Sequence, residues 1–431
     1  MSTSDARRLG VDVLQAVLQS RQPLDEAFTS HPELSKLSSR DRAFARLLAT
    51  TAVRRLGEID GLLAAFMDKP LGGKRESVQN VLRLGVAQLL FLETPPHAAV
   101  ATSVTLIKKL GLGGFTGLAN AVLRRVAREG KAKLAALDAD RLSFPPWLWE
   151  RLVQSYGEPT TRAVAQAQRA DPPLDLSLRE IHQGQEWARK LNGRLLPSGS
   201  LRLPSGTGDV RQLPGFSEGA WWVQDSAAAL PAQLLRPQAG EVIADLCAAP
   251  GGKTLQLAAA GAEVIAVELQ PARLALVQEN LVRTKLSALC VAADARSWKS
   301  PQQLDALLLD APCSATGTLR RHPDVALHRR PDELDGLVKL QDRLLENAIE
   351  LLRPGGRLVY SVCSLLPEEG SARIRKLLDG GAPLEVDPAD PEEYGLPPEA
   401  AEADGGLRTL PSFWNEVGGM DGFYICRLRR L

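Results

Sequence analysis

The sequence predicts an α/β protein that combines an all-helical amino-terminal bundle, a small α+β linker unit and a carboxyl-terminal domain built on a parallel sheet. Three observations support this prediction. Apolar side chains repeat at helical spacing through residues 5–140, with little alternation of period two. From residue 236 onwards, short apolar runs alternate with helical patterns, which indicates a parallel sheet covered by helices on both faces. The length of 431 residues is enough for two or three domains.

The helical bundle is predicted for residues 1–140. Leu9, Val13 and Val17 show the spacing of a buried helix face, and similar faces follow along the segment. Residues 1–130 contain 18 lysines and arginines against 12 acidic residues. This basic excess suits a nucleic-acid partner, although by itself it is more typical of a solvated helical surface.

The linker unit is predicted for residues 144–235. Proline and glycine interrupt its helical patterns at 157–159 and 171–173, and a weakly alternating strand follows. Trp221 and Trp222 precede a further predicted helix. We expect both to be core residues rather than platforms for stacked bases.

The third predicted domain covers residues 236–431 and has the alternation of a Rossmann-like fold. Its predicted parallel strands are 242–245, 264–268, 288–293, 306–310 and 357–362. Asp245, Glu268 and Asp310 end three of these strands. Since ligands of such sheets bind beyond the carboxyl ends of the strands, these acids indicate one binding rim.

The turn at residues 245–254, with the sequence DLCAAPGGKT, has the character of a ligand-binding loop. Gly251 and Gly252 allow a ligand to approach the backbone closely, and the following helix start offers N–H groups. A Walker A phosphate loop would need glycine where Cys247 stands, and a GxGxxG motif is absent. The turn therefore does not match the common nucleotide-binding loops.

Two acids near this turn favour a nucleoside ligand. Glu268 is placed for the hydroxyl groups of a ribose, and Asp294, which follows the third strand, is placed for an adenine amino group. S-adenosylmethionine is a nucleoside of this kind, and acidic side chains tolerate its positive sulfonium. We therefore expect S-adenosylmethionine as the cofactor.

Cys313 and Cys363 follow two predicted strands and should face the same rim. A thiolate that adds to C6 of cytosine makes C5 nucleophilic enough to accept a methyl group. A base inside structured RNA must be unstacked to reach such a site. Each cysteine alone is more typical of a small buried residue, but the two together, beside the acids, favour catalysis.

Four strings of the helical bundle are distinctive: RAFARLL at 42–48, LRLGVAQLLFL at 82–92, PHAAV at 96–100 and ANAVLRR at 119–125. They resemble the NusB-like RNA-binding domain. The resemblance implies a bundle that docks on RNA. His97 and Asn120 could contact RNA, although local hydrogen bonds within the bundle are more typical of such residues.

Three motifs of the last domain are similarly distinctive, at residues 245–254, 310–324 and 360–370. They closely resemble the motifs of the RNA cytosine-C5 methyltransferase family, and with the NusB-like domain they resemble members that methylate 16S small-subunit ribosomal RNA. The resemblance implies that Cys363 is the nucleophile, that Cys313 assists product release and that Asp310 is catalytic. DNA cytosine methyltransferases use a Pro-Cys nucleophile instead, so the family resemblance decides between the two cysteines. A transfer RNA substrate, or a non-catalytic RNA-binding role, fits these motifs less well.

The resemblance also implies the residues that bind S-adenosylmethionine, which are Cys247, Ala248, Ala249, Pro250, Gly251, Gly252, Lys253, Glu268, Asp294 and Asp310. Val362 stands where the family has threonine before the nucleophile. Lys253 could bridge cofactor and base, and the stretch from Arg320 to Asp324 could hold RNA or be helix-cap or surface charge. Pro367, Glu368 and Glu369 are expected to start the next helix, where acids are favoured.

Neither a structural metal site nor a membrane-spanning segment is expected. Five scattered cysteines form no CxxC pair, and with five histidines they indicate no structural zinc site. No segment approaches the roughly 18 apolar residues that cross a membrane, and residues 1–20 lack the apolar centre of a signal peptide. We therefore expect a monomeric cytoplasmic enzyme with reduced thiols.

Overall fold

The computed structural model describes residues 3–67 and 71–431, so residues 1–2 and 68–70 of the predicted bundle lie outside the described part. Two compact units make up the chain. The first comprises Met1–Val153 and Arg321–Arg329, and the second comprises Gln154–Arg320 and Arg330–Leu431. The domain limits at 140, 144 and 235 stay a prediction.

The first unit is helical, as its periodicity predicts. Its helices before residue 146 are α1 (Thr3–Ser20), α2 (Leu24–Thr29), α3 (Ser39–Arg54), α4 (Leu56–Ala64), α5 (Glu76–Leu90), α6 (Pro96–Lys109), α7 (Thr116–Ala135) and α8 (Ala139–Leu142). Leu9, Val13 and Val17 of α1 are buried in one apolar core. Asn120 Oδ1 accepts a hydrogen bond from Arg124 Nε at 3.0 Å, so this side chain bonds locally.

The chain then enters α9 (Pro146–Arg169), which is kinked where Gly157 has non-helical torsions. The kink lies at the predicted break, because positive φ and the following proline both oppose a continuous helix. The next elements are β1 (Leu174–Leu178), α10 (Gly184–Lys190), β2 (Arg194–Leu195), β3 (Leu201–Leu203), β4 (Trp221–Val223) and α11 (Ser226–Leu235). The strands form an antiparallel sheet in the order β2-β3-β1-β4. Trp221 and Trp222 are buried, which confirms their prediction as core residues.

The second sheet contains eight strands and confirms the predicted α/β fold. Its strands and helices are β5 (Val242–Leu246), α12 (Gly252–Ala259), β6 (Glu263–Glu268), α13 (Pro271–Thr284), β7 (Leu289–Ala292), β8 (Leu304–Asp310), α14 (Val325–His328), α15 (Leu334–Leu351), β9 (Leu352–Val362), α16 (Ser371–Asp379), β10 (Leu384–Val386), β11 (Leu407–Arg408) and β12 (Tyr424–Arg430). Five strands are parallel in the order β9-β8-β5-β6-β7, and β12 joins the β9 edge antiparallel, with β10 beyond it and β11 also paired to β12.

The strand order places a topological switch point between β5 and β8. From β5 the chain continues outward to β6 and β7, and it then returns to form β8 on the other side of β5. At a switch point, the chain leaves two neighbouring strands in opposite directions. A crevice therefore opens beyond the carboxyl ends of these two strands. The turn after β5 and Asp310 at the end of β8 lie at this crevice.

Candidate active site

The turn after β5 has the backbone that its glycines indicate. Cys247 has a φ of 63° and Gly251 a φ of 105°, and α12 begins at the next residue. A side chain at Gly251 would be strained at this φ, and its Cβ would also lie 3.1 Å from Val277. Ala248 N donates to Val267 O at 3.1 Å and so ties the turn to β6. The turn is therefore a fixed part of the sheet edge.

A cavity of about 370 Å³ adjoins the turn. Its lining comprises Cys247, Val267, Glu268, Leu269, Gln270, Arg273, Asp294, Ala295, Arg296, Pro312, Leu340 and Leu344. Three residues predicted to bind the cofactor, Cys247, Glu268 and Asp294, thus share one cavity of the size of small-molecule sites. Pro312 lies directly before Cys313, so the cavity extends to the first cysteine loop.

The two acids of this cavity are held in different ways. Glu268 is 3% exposed, and its carboxylate accepts hydrogen bonds from Gln270 N at 3.1 Å and Ala249 N at 3.4 Å. Asp294 is more open and binds Arg296 through both carboxylate oxygens. Hydrogen bonds from the side chain and the N–H of Arg296 lower the pKa of Asp294. Both acids are thus fixed on the cavity wall.

Asp245 is a buried acid directly before the turn. Burial raises its pKa to about 7, although Thr254 Oγ1, which donates to Asp245 Oδ2 at 2.6 Å, and Lys253 oppose the shift. None of the residues that the structure describes donates a hydrogen bond to Asp245 Oδ1. A buried acceptor without a partner beside an acid-lined cavity fits a ligand that carries positive charge. The ammonium group of S-adenosylmethionine, which carries three N–H donors, meets this condition.

Lys253 and Asp310 form an ion pair at the switch point. Lys253 Nζ lies 2.6 Å from Asp310 Oδ2, and Ser361 Oγ donates to Asp310 Oδ1 at 3.0 Å. Burial by itself lowers the pKa of Lys253, but the charge and hydrogen bond of Asp310 outweigh it and the pKa is raised. Lys253 therefore stays charged, and the Asp310 carboxylate is fixed from both sides.

The two predicted catalytic cysteines meet at this rim. Cys313 follows β8, Cys363 follows β9, and their Sγ atoms lie 3.5 Å apart. Gly317 N donates to Cys363 O at 2.9 Å and joins the two loops. The hydrogen bond with Cys363 and burial raise the pKa of the Cys313 thiol, so Cys313 stays protonated at neutral pH.

Val362, the departure from the family pattern, is buried in the sheet. It pairs with Tyr424 of β12, and its side chain is 0% exposed. The backbone pairing of β9 and β12 therefore fixes the position of Val362, directly before Cys363.

Glu369 differs from its prediction as part of a helix start. Instead of starting a helix, it lies two residues before α16 and is 0% exposed. Its carboxylate bonds to Ser314 and Ser364, the residues that directly follow the two cysteines. The repeated Cys-Ser pair was the only local signal for this arrangement.

Arg320 also differs from its prediction, because it neither faces solvent nor caps a helix. It is 1% exposed, with Nε 3.0 Å from Asp421 Oδ1 and Nη2 3.6 Å from Asp225 Oδ2. These ion pairs make it a buried structural residue rather than a contact for RNA phosphate. Asp324 belongs to the first unit, where one of its oxygens accepts a hydrogen bond from Leu24 N at 3.1 Å.

Two further observations concern residues 3–67 and 71–431. No helix of this part is long and apolar enough to cross a bilayer. The same residues contain no group of three or more histidine, cysteine or acidic side chains arranged to hold a metal ion.

Comparison with known proteins extends over both parts of the chain. The family model of the 16S rRNA methyltransferase RsmB/F matches residues 232–429, and the NusB family model matches residues 4–128. Ribosomal RNA small subunit methyltransferase B of Cronobacter sakazakii is 36% identical over 93% of this chain and 96% of its own length, and that of Citrobacter koseri is 37% identical over 94% and 98%. A crystal structure of a methyltransferase homolog from Pyrococcus horikoshii is 27% identical, covers 68% of this chain and 97% of its own, and has a TM-score of 0.57. With an amino-terminal NusB domain and relatives that match almost its whole length, the chain belongs to the RsmB/F family of ribosomal RNA small subunit methyltransferases.

Proposed function

We propose that this protein methylates C5 of a cytosine in 16S ribosomal RNA through a covalent adduct between Cys363 and C6 of the base. S-adenosylmethionine is the cofactor, and it supplies a methyl group bonded to a positively charged sulfur. The observation that supports the cysteine chemistry best is the 3.5 Å contact between Cys313 Sγ and Cys363 Sγ. Two thiols at the ends of neighbouring strands, beside the cofactor turn, can act on one base.

Cys363 acts first in the proposed reaction. Its thiolate forms a bond to C6, and the electron pair of the C5–C6 double bond moves to C5, which then takes the methyl group. The proton on C5 then passes to a water molecule, the electron pair of the broken C5–H bond restores the double bond, and the bond between C6 and sulfur breaks. Cys363 is thereby returned as a thiolate. Cys313, which lies against it, assists this release.

Asp310 is proposed to orient the base. Its carboxylate is held by Lys253 and Ser361 and can accept a hydrogen bond from the amino group that distinguishes cytosine from uracil. The positive charge of Lys253 lies beside this carboxylate and counters negative charge that develops on the ring. The base reaches these groups only after it leaves its stack.

The cysteine roles are tested by methyl transfer to 16S ribosomal RNA. We expect Cys363→Ala to lower the rate by several orders of magnitude, because the nucleophile is lost. Cys313→Ala should accumulate a covalent protein–RNA complex that is visible on a denaturing gel. Cys290→Ala, which removes the half-buried thiol of β7, is the matched control and should retain activity. Full activity of Cys363→Ala would show that another residue attacks the base.

The substrate is tested separately by incubating the enzyme with labelled cofactor and purified RNA pools. We expect label in 16S ribosomal RNA and not in transfer RNA, and bisulfite sequencing should place it on a cytosine. Comparison of naked RNA with partly assembled small subunits identifies the preferred form. A monomeric state and a cytoplasmic location remain our expectations for this enzyme.

A further inference from the structure

Glu369 is a fully buried carboxylate that the reaction above does not use. Its Oε1 accepts hydrogen bonds from Ser314 N at 2.8 Å and Gln341 Nε2 at 3.1 Å. Its Oε2 accepts from Ser364 Oγ at 2.6 Å and from Ser314 Oγ. The carboxylate thus joins the loop after β8, the loop after β9 and helix α15.

The serine partners of Glu369 lie next to the two cysteines. Ser314 directly follows Cys313, and Ser364 directly follows Cys363, so Glu369 binds the neighbour of each thiol. Gln341 Nε2 also donates to Pro312 O at 2.9 Å, on the other side of Cys313. The residue after each cysteine is therefore bound to one buried group, through the N–H and hydroxyl of Ser314 and through the hydroxyl of Ser364.

Stability alone is a poor explanation for this carboxylate. Burying a charged group is costly unless hydrogen bonds compensate it, and apolar side chains of similar volume often fill such sites at least as well. What an apolar side chain cannot do is bind the N–H and hydroxyl groups of both cysteine loops at once. The buried acid is therefore better explained by the fixed arrangement that it gives to the two cysteine loops.

We propose that Glu369 is a positioning residue that sets the relative placement of the Cys313 and Cys363 thiols. The inference rests on the proposed function, in which one thiol attacks C6 and the other assists release at the adjacent C5. Because both must reach neighbouring atoms of one base, their separation is constrained more tightly than in an ordinary core. A misplacement of about 1 Å can cost roughly 100-fold in rate.

The test compares Glu369→Gln and Glu369→Ala with the wild type in steady-state methyl transfer to 16S ribosomal RNA. We expect kcat to fall roughly 10-fold in Glu369→Gln, which keeps one acceptor oxygen, and roughly 100-fold in Glu369→Ala. The KM for RNA and the Kd for S-adenosylmethionine should change less than about threefold, because the turn and cavity are not altered. Asp342→Asn is the control. This carboxylate lies next to Gln341 on α15 but pairs with Arg373 and Lys376, and its loss should leave kcat unchanged.

A second measurement separates positioning from simple loss of structure. In the Cys313→Ala background, the final amount of covalent RNA complex counts the folded active sites, and the rate of its formation reports the placement of Cys363. We expect Glu369→Gln to slow the rate and to leave the final amount unchanged. A lower amount with an unchanged rate would overturn the proposal, since it would mean that Glu369 only supports folding.

Two outcomes distinguish a failure of the positioning role from a failure of the proposed reaction. If Cys313→Ala alone gives no complex and Cys363→Ala retains activity, the proposed cysteine chemistry fails. If Cys313→Ala gives the complex and Glu369→Gln leaves its rate of formation unchanged, only the positioning role fails. Should the Glu369 variants not fold, Ser364→Ala removes one of the four bonds and should still slow complex formation severalfold. An unchanged rate in that variant likewise counts against the proposal.

Discussion

Cys313 Sγ and Cys363 Sγ lie 3.5 Å apart, although the two cysteines are separated by 50 residues in the chain. The parallel pairing of β8 and β9 brings them together, because each cysteine follows the carboxyl end of its strand. Neighbouring parallel strands place equivalent ends at one edge of a sheet. The contact has consequences that can be measured.

The first prediction concerns oxidation of this thiol pair. Diamide, a thiol oxidant, should take one hydrogen from each cysteine and form a disulfide, because only a small movement is needed to reach bonding distance. Methyl transfer should be lost and should return with dithiothreitol. Peptide mapping by mass spectrometry should find Cys313 linked to Cys363. If both thiols still react with iodoacetamide after diamide has abolished activity, the loss has another cause.

The second prediction concerns the ion pair of Lys253 and Asp310. Removing either partner leaves a partly buried charge without compensation, so Lys253→Met and Asp310→Asn should each lower the free energy of unfolding. The double variant should be less destabilised than the sum of the single variants, with a coupling of about 1–3 kcal/mol in urea denaturation. The two single variants and the double variant should all transfer methyl groups more slowly than the wild type. Additive single effects would show that the two side chains act independently.

The third prediction is a pH dependence caused by Asp245. Its pKa is raised from 3.8 to about 7, so the stability linked to the neutral acid is fully present below pH 3.8 and is lost as the pH rises through about 7. Asp245→Asn stays neutral. Without cofactor, the free energy of unfolding of Asp245→Asn should therefore rise relative to that of the wild type between pH 5 and 8, by up to about 3 kcal/mol.

Urea denaturation at several pH values measures this difference. Asp305→Asn is the control, because its hydrogen bond with Arg353 lowers the pKa of Asp305 and places its titration below this window. The difference between that variant and the wild type should be constant from pH 5 to 8. A constant difference for Asp245→Asn as well would mean that Asp245 is ionised throughout.

The fourth prediction concerns Gly317, which lies in the loop after Cys313. A Cβ at this position would lie 1.9 Å from Gly422 O, so Gly317→Ala must move the backbone and weaken the bond from Gly317 N to Cys363 O. We expect about 1–3 kcal/mol of destabilisation and a lower kcat. Gly336→Ala on the exposed face of α15 meets no atom within 4 Å and should instead stabilise by up to about 1 kcal/mol. Thermal denaturation of the two variants should therefore shift in opposite directions.

Features that depend on local patterns were predicted from the sequence. The helical periodicity of the first unit, the break at Gly157 and the strand that precedes the turn at residues 245–254 all match the structure. Each is determined by residues within a few positions of one another, where side-chain spacing, glycine and proline limit the backbone. The two Cys-containing motifs were found for the same reason, because each is a short string at the end of a strand.

Tertiary structure decided the features that depend on distant residues. The insertion of β12 between β9 and β10 could not be read from its own sequence, because strand order depends on which edge the chain returns to. Arg320 resembles surface charge until Asp225 and Asp421 enclose it. Glu369 resembles a helix start until the loops of Cys313 and Cys363 converge on its carboxylate. The sequence by itself determined the chemistry that the two cysteines offer, whereas only the folded sheet brings their sulfur atoms into contact and gives the buried acid its partners.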